Sequence, residues 1–406
     1  MQFFKDWSVS TFTAGFVAVL VGFTSSIAIV FQAALSFGAT PDMLASWLWA
    51  IGIGMGLTTA LPSLWLRQPV MVAWSTPGAA VLASAGLAGG FTMGDAVGAF
   101  MMSAALIVLI GVTGWFEKLM NRIPPALASA LLAGALARFG LSGFSAAQTA
   151  LPLVLLMLIT YLLGKRFVPR YAVPLTLLFS VLFVSAQGGF TSATIPLGLT
   201  VPVFVMPVFS FSALVSLALP LFIVTMASQN LPGLAAIRAT GFGDERQRGG
   251  DAGIPVSKII TLTGLATLVL APFGAFSLNL SAITAAMCMG PEAHPDKARR
   301  YTAAVSCGVL YVILGLFGAT IMAVLTAFPK ELVAAIAGLA LMGTIGTALA
   351  TALHKEGDRE AAMVTFLITL SGVVIGGVGS AFWGVVAGVL AMAVQHYHPQ
   401  KRKATL

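Results

Sequence analysis

The chain has 406 residues, of which 58% are hydrophobic and only 8% charged; its net charge is +8 and its mean hydropathy +0.98. Soluble domains carry about 25% charged residues, so a water-soluble globule is excluded and lipid is the main solvent. The basic residues form no groove or tail, which excludes nucleic acid as the partner, and two cysteines, Cys288 and Cys307, make neither a disulfide framework nor a metal-ligand cluster.

The first apolar run, 12–37, is longer than the roughly 7–15 residues of a signal-peptide core. It reads as a first membrane segment, carrying Ser25, Ser26 and Gln32. Stretches free of Asp, Glu, Lys and Arg then follow one another down the chain: 7–41, 43–66, 68–94, 96–116, 139–164, 171–237, 259–291, 301–329, 332–354 and 361–400. A helical span needs about 20 residues, so the longest stretches hold two segments. Divided at Gly, Pro, Asn and Ser clusters, they predict about fourteen: 12–36, 42–66, 69–88, 92–115, 124–142, 147–164, 168–187, 208–231, 255–271, 272–290, 299–326, 330–353, 359–378 and 379–398.

In segment two, Gly52, Gly54 and Gly56 point to close helix packing, as do Gly372/Gly376 and Gly384/Gly388 further on. Segment three reads Gln68-Pro69-Val70-Met71-Val72-Ala73-Trp74-Ser75-Thr76-Pro77-Gly78. Its valines favour extended chain, and Thr76-Pro77 is a helix-start signal with Thr76 as cap. A half-strand therefore runs into a half-helix. Segment eight carries Thr225, Ser228, Gln229 and Asn230 before Pro232-Gly233. Segment ten, Pro272-Phe273-Gly274-Ala275-Phe276-Ser277-Leu278-Asn279-Leu280-Ser281, repeats the plan of segment three, with Asn279 and Ser281 as cap candidates. Extended backbone inside a membrane is tolerated only where protein buries it or where it lines a cavity. Half-helix N-termini present free N–H groups and partial positive charge. Two of them facing each other make a midplane site for an anion.

With both termini cytoplasmic, nineteen of the 21 Lys and Arg residues fall on one side and only Arg138 and Lys330 on the other, as the positive-inside rule requires. Trp7, Trp47, Trp49, Trp65 and Trp115 fall near segment ends, where an interfacial belt is expected. Pro69 with Pro272, and Pro124 with Pro329, recur at offsets of 203 and 205 residues. Seven segments per half make the second half an inverted repeat, a recurring plan of secondary transporters. No carboxylate lies deep in a segment; Asp42, Asp95, Glu117 and Glu331 stand at ends, and all four histidines fall in loops or near the C-terminal end. A proton relay is therefore not visible, and neither is a P-loop, a metal motif or another catalytic set. No cofactor is expected.

Gly22-Phe23-Thr24-Ser25-Ser26, Trp74-Ser75-Thr76-Pro77-Gly78 and Ala227-Ser228-Gln229-Asn230-Leu231-Pro232-Gly233 resemble the benzoate–proton symporter family (BenE type), along the whole chain. The resemblance implies an all-α polytopic fold shared with uracil/xanthine permeases and sulfate/bicarbonate carriers (UraA-like), with short extended stretches in segments three and ten. It implies a core domain, 1–116 and 207–327, and a gate domain, 117–206 and 328–406, the latter ending in a cytoplasmic tail. It further implies elevator-type import of benzoate with protons across the bacterial inner membrane, among lipids, by a homodimer. In the nucleobase branch acids in segments eight and ten hold the ring of a neutral base; Ser228 and Asn279 stand there in this chain. Neutral donors suit an anion better. The candidate substrate-binding residues are Ser25, Gln32, Trp74, Ser75, Thr76, Ser228, Gln229, Asn230, Phe276, Ser277, Asn279 and Ser281, with Trp74 and Phe276 expected to cover a flat ring. The alternatives are a nucleobase or purine symporter on the same fold and an anion channel; a membrane enzyme lacks a catalytic set.

Overall fold

A computed structural model describes residues 2–116, 124–168, 172–188, 198–243, 253–281, 283–291, 293–373, 375 and 380–395. The chain is mainly helical. After a short turn of helix at the start come α1 (Val9–Ser36), α2 (Pro41–Leu66), β1 (Val72–Trp74), α3 (Thr76–Ala88) and α4 (Met93–Thr113). Next are α5 (Pro125–Ser145), α6 (Ala147–Phe167), α7 (Ala172–Ala186) and α8 (Phe211–Leu234). Then follow α9 (Val256–Leu270), β2 (Leu278–Leu280), α10 (Ile283–Met289), α11 (Tyr301–Leu316) and α12 (Gly318–Thr326). α13 (Lys330–Ala352), α14 (Arg359–Ser371) and α15 (Ser380–Gln395) complete the chain.

Among the described residues seven helices are long and apolar enough to cross a membrane, and up to eight when α1, bent by 42°, counts as one span. α3 and α7 are shorter apolar helices. The expected segments three and ten differ from the rest in kind. Each is a three-residue strand followed by a short helix, and the two strands pair antiparallel with Ala73 opposite Asn279. The ribbon lengthens by one bond at each end: Ser75 N–H donates to Ser277 C=O and Ser281 N–H to Met71 C=O. Side chains finish the backbone accounting. Val72 N–H donates to Thr59 Oγ1, Leu278 N–H to Thr267 Oγ1 and Val70 N–H to Ser63 Oγ. These partners come from α2 and α9, so extended chain is kept in the apolar interior with its polar groups satisfied.

Helix packing follows the glycines. A Cβ at Gly52 would lie 2.6 Å from Gly315 Cα, and one at Gly56 would lie 2.6 Å from Gly308 C=O. α2 and α11 therefore touch backbone to backbone. Gly384 meets Thr369 and Thr365 in the same way, joining α15 to α14; Gly376 lies outside the described residues. Cys288 and Cys307 are free and buried, on α10 and α11.

The tryptophans divide. Trp65 and Trp115 are exposed, as a belt requires. Trp47 is not a belt residue: it is buried, its ring 5.4 Å from Phe100 and 5.6 Å from Phe276. Its place near the start of α2 does not reach an interface because the turn Ala271–Phe273 and the backbone of Gly274 pack over it.

Candidate functional site

The centre of the site is where β1 turns into α3. The expected cap, Thr76, is corrected by one residue: Ser75 is the N-cap, its Oγ accepting from Gly78 N–H at 3.0 Å, while Thr76 is the first helical residue. The proline still serves, since its missing N–H falls in the first turn, where N–H groups have no helical partner. In segment ten one of the two cap candidates, Asn279, is corrected. Asn279 sits in mid-strand, and Ser281 Oγ lies 2.6 Å from Thr284 Oγ1 just before α10. The ladder pairs Val72 with Leu280 and Trp74 with Leu278, so counted from the start of each strand Val72 corresponds to Leu278 and Trp74 to Leu280. Phe276-Ser277 therefore precedes its strand, whereas Trp74-Ser75 closes its own. The aromatic–Ser pairs are not structural counterparts.

Ser75, Thr225 and Ser277 nonetheless meet. Thr225 Oγ1 lies 3.0 Å from Ser75 Oγ, to which it donates, and 2.8 Å from Ser277 Oγ. A threonine has one hydroxyl proton, so Ser277 donates to Thr225 and Ser75 keeps its own proton to offer. Ser277 holds a positive φ of 43°, uncommon for a residue with a side chain. That conformation aims its carbonyl at both Ser75 N–H and Asn279 Nδ2 (2.9 Å). Strained backbone of this kind concentrates at ligand sites. Asn279 is fully buried and its Oδ1 has no partner, an unusual state for a buried acceptor.

α8 supplies the third wall through a widened turn. Met226–Asn230 is a π-helical turn, closed by Leu231 N–H to Met226 C=O; such turns recur at functional sites. The extra residue rotates Asn230 towards the ribbon, where its Oδ1 accepts from Leu280 N–H at 3.0 Å. Ser228 and Gln229 on the same turn are half-buried. Replacing Asn230 by Leu leaves the Leu280 N–H buried without a partner. An unmet buried donor costs about 1–3 kcal/mol, so the thermal unfolding midpoint is expected to fall, with Asn230→Gln recovering less than half.

Trp74 donates its indole N–H to Ser26 Oγ at 3.0 Å and stands edge-on to Phe23 at 5.7 Å. Ser26 rather than Ser25 is thus the α1 residue tied to the ribbon; the Ser25 side chain lies outside the described residues. Phe276 is buried against Trp47 and Phe100 (5.6 and 6.0 Å). Gln32 lies apart, in a cavity with Ser84 and Arg138. Thr225 is the residue that sequence reasoning left outside the candidates, although it is three and four positions before Ser228 and Gln229 and so shares their helix face. Thr225→Val keeps the volume and removes the hydroxyl shared by Ser75 and Ser277. Substrate affinity in a binding titration is expected to drop by up to about tenfold, because Ser75 and Ser277 lose the hydroxyl that orients them, an indirect loss no larger than that of one hydrogen bond to a charged group.

The arrangement offers hydroxyl, amide and helix N-terminal donors, and no carboxylate. Segments one, three, eight and ten contain none anywhere in their sequence. It can hold an anion and carries no catalytic acid or base. The profile of the family described as benzoate membrane transport protein (BenE) matches residues 5–394.

The chain belongs to the benzoate membrane transport protein family.

Two relatives agree across nearly the full length. The inner membrane protein YdcO of Escherichia coli (strain K12) is 46% identical over 384 residues, 95% of each chain. A benzoate membrane transport protein of Acinetobacter baylyi is 38% identical over 387 residues, again 95% of each. In fold the family member resembles the transmembrane domain of a cyanobacterial bicarbonate transporter, BicA, with TM-score 0.60 at 15% identity, covering 94% of this chain and 97% of that one. It also resembles the murine Slc26a9 anion transporter in its inward-facing state, with TM-score 0.61 at 11% identity, covering 96% and 68%. The family is one of membrane transporters, not of enzymes.

Proposed function

We propose that this protein imports benzoate or a closely similar aromatic carboxylate, together with protons, across the bacterial inner membrane. The observation that carries the reading is the antiparallel pairing of β1 with β2 against α8, which gathers Ser75, Thr225, Ser277 and Asn279 into a buried, acid-free set of neutral polar groups beside a half-helix N-terminus. Such a set stabilises a carboxylate without repelling it. Trp74, next to Ser75, packs the α1 side. The chain crosses the membrane as fourteen segments in two inverted halves, with both termini cytoplasmic, and works as a homodimer. The core domain, 1–116 and 207–327, carries the site; the gate domain, 117–206 and 328–406, stays with the membrane while the core slides past it. The antiparallel meeting of two strand–helix segments supports the inverted halves, and the relatives' printed names support the substrate and the membrane.

Uptake of labelled benzoate into proteoliposomes, with and without an inward proton gradient and with uracil as competitor, tests the reading. Accumulation driven by the gradient, blocked by unlabelled benzoate and untouched by uracil, is the expected result. Folded protein that takes up no benzoate refutes it.

A further inference from the structure

Arg138 is the only charged residue between 123 and 164, and it is held in a specific place. Its guanidinium donates from Nη1 to Ser84 Oγ at 2.8 Å, reaching from α5 to α3. It also lies against the backbone of Gly372, the left-handed cap of α14, where a Cβ would stand 2.6 Å from Nη1. The left-handed φ of +69° at Gly372 favours glycine, and the absence of a Cβ there leaves room for the guanidinium. Around it is a cavity of about 270 Å³ lined by Gln32, Ser84, Leu87, Arg138, Ser142 and Leu370 among others. Among the described residues lining it there is no carboxylate, and ion pairs such as Asp296–Arg299 and Glu356–Arg359 lie away from it, at the turns that lead into α11 and α14.

A guanidinium offers five N–H donors in a planar fork matched to a carboxylate. Ser84 takes one of them, and the cavity faces the remainder with an amide, two hydroxyls and apolar walls. The volume is just below the roughly 300–1,000 Å³ usual for small-molecule sites, which suits a single-ring acid. Position adds to chemistry. Ser84 stands eight residues along α3 from its first residue, about 12 Å at 1.5 Å per residue. Gln32 stands on α1, which also holds Ser26. The elements that build the central site therefore continue into this cavity, while α5 and α14 close its other side.

We propose that Arg138, with Gln32, Ser84 and Ser142, forms a second carboxylate-binding site at the mouth between α1/α3 and α5/α14, where an aromatic acid docks before passing to the ribbon. The inference rests on the reading of the chain as a carrier of aromatic carboxylates. The site places the carboxylate on the guanidinium and the ring against Leu87 and Leu370.

The test uses full-length protein in lipid nanodiscs with Leu141→Cys, at the cavity's edge, carrying an environment-sensitive fluorophore; Leu141 is exposed, whereas Cys288 and Cys307 are buried. Sodium benzoate is titrated at constant ionic strength, with sodium chloride as the comparison. The expected result is a saturable change with benzoate at concentrations where chloride gives none. Arg138→Gln should shift it by about tenfold or more, the worth of a charged hydrogen bond, and Arg138→Lys, which keeps the charge without the fork, should shift it less. Asn279→Asp should leave the signal in place even where uptake is lost, so failure of the central site and failure of this one are separable. The proposal is overturned if chloride reproduces the benzoate curve or if Asn279→Asp abolishes it. It is equally overturned if Arg138→Gln lowers the unfolding temperature but leaves the titration unmoved, the behaviour of a residue that only caps α14.

Discussion

Replacing Asn279 by Asp is expected to weaken benzoate binding by about 100-fold at neutral pH. The side chain is fully buried at the ribbon, opposite Ala73, with its Oδ1 unpartnered and its Nδ2 donating to Ser277 C=O. An aspartate there loses the donor and gains a charge. Two unit charges about 4 Å apart repel by about 4 kcal/mol at an effective dielectric of about 20, and by about half that at twice the distance. Each 1.4 kcal/mol or so is a factor of ten. The loss should shrink as pH falls, because protonation of the new carboxyl removes the charge and restores a donor towards Ser277. Equilibrium binding of labelled benzoate across pH reads both effects. Affinity equal to that of the parent at every pH would remove Asn279 from the site.

The largest effect on stability is expected at Gly52 and Gly56. A valine at either position drives its side chain into the backbone of α11, against Gly315 Cα or Gly308 C=O. Neither neighbour can rotate away, as a side-chain tip could. Overpacking in a core costs about 1–3 kcal/mol where side chains can yield, and backbone contact places these variants at or beyond the upper end. Thermal unfolding in detergent should show a clear drop for Gly52→Val and Gly56→Val. Gly346→Ala on α13, where a Cβ meets nothing within 4 Å, should not lower the midpoint and should raise it slightly, since alanine favours a helix interior over glycine. If all three behave alike, the close packing of α2 on α11 does not hold the fold. In the proposed mechanism this contact also matters for motion, since two helices locked by backbone contact travel as one body.

The charge-free stretches marked where helices lie because a charged side chain is costly in lipid, and that penalty leaves its record in composition. The breaks in segments three and ten were legible for a similar reason: Pro69, Pro77 and Pro272 interrupt apolar runs that otherwise favour helix. What sequence could not provide was register. Aligning Trp74-Ser75 with Phe276-Ser277 follows residue types, but the two strands pair about Ala73 and Asn279, so by position in its strand Trp74 corresponds to Leu280. Backbone hydrogen bonds set that correspondence, and they carry no side-chain signature. Ser75 and Thr76 are both good caps, and only the geometry of the turn chooses between them. Thr225 escaped selection because a hydroxyl in a membrane helix usually bonds its own backbone, and nothing local reveals that it instead joins two serines from separate segments. Gln32 shares α1 with Ser26, which groups it with the central site by sequence, but it lines the cavity beside Arg138.

The β1–β2 ribbon also constrains the order in which the protein can be made. β1 finds its hydrogen-bond partner roughly two hundred residues later in the chain. At about 5–20 residues per second of synthesis, that is an interval of about 10–40 s. During it the extended backbone of 72–74 has no ladder, and lipid offers none. Segment three must therefore wait in water, at the bilayer surface or against the insertion machinery, and enter its final place only when segment ten arrives. A nascent chain arrested before residue 270 should leave Trp74 accessible to aqueous reagents, and one released after residue 300 should not.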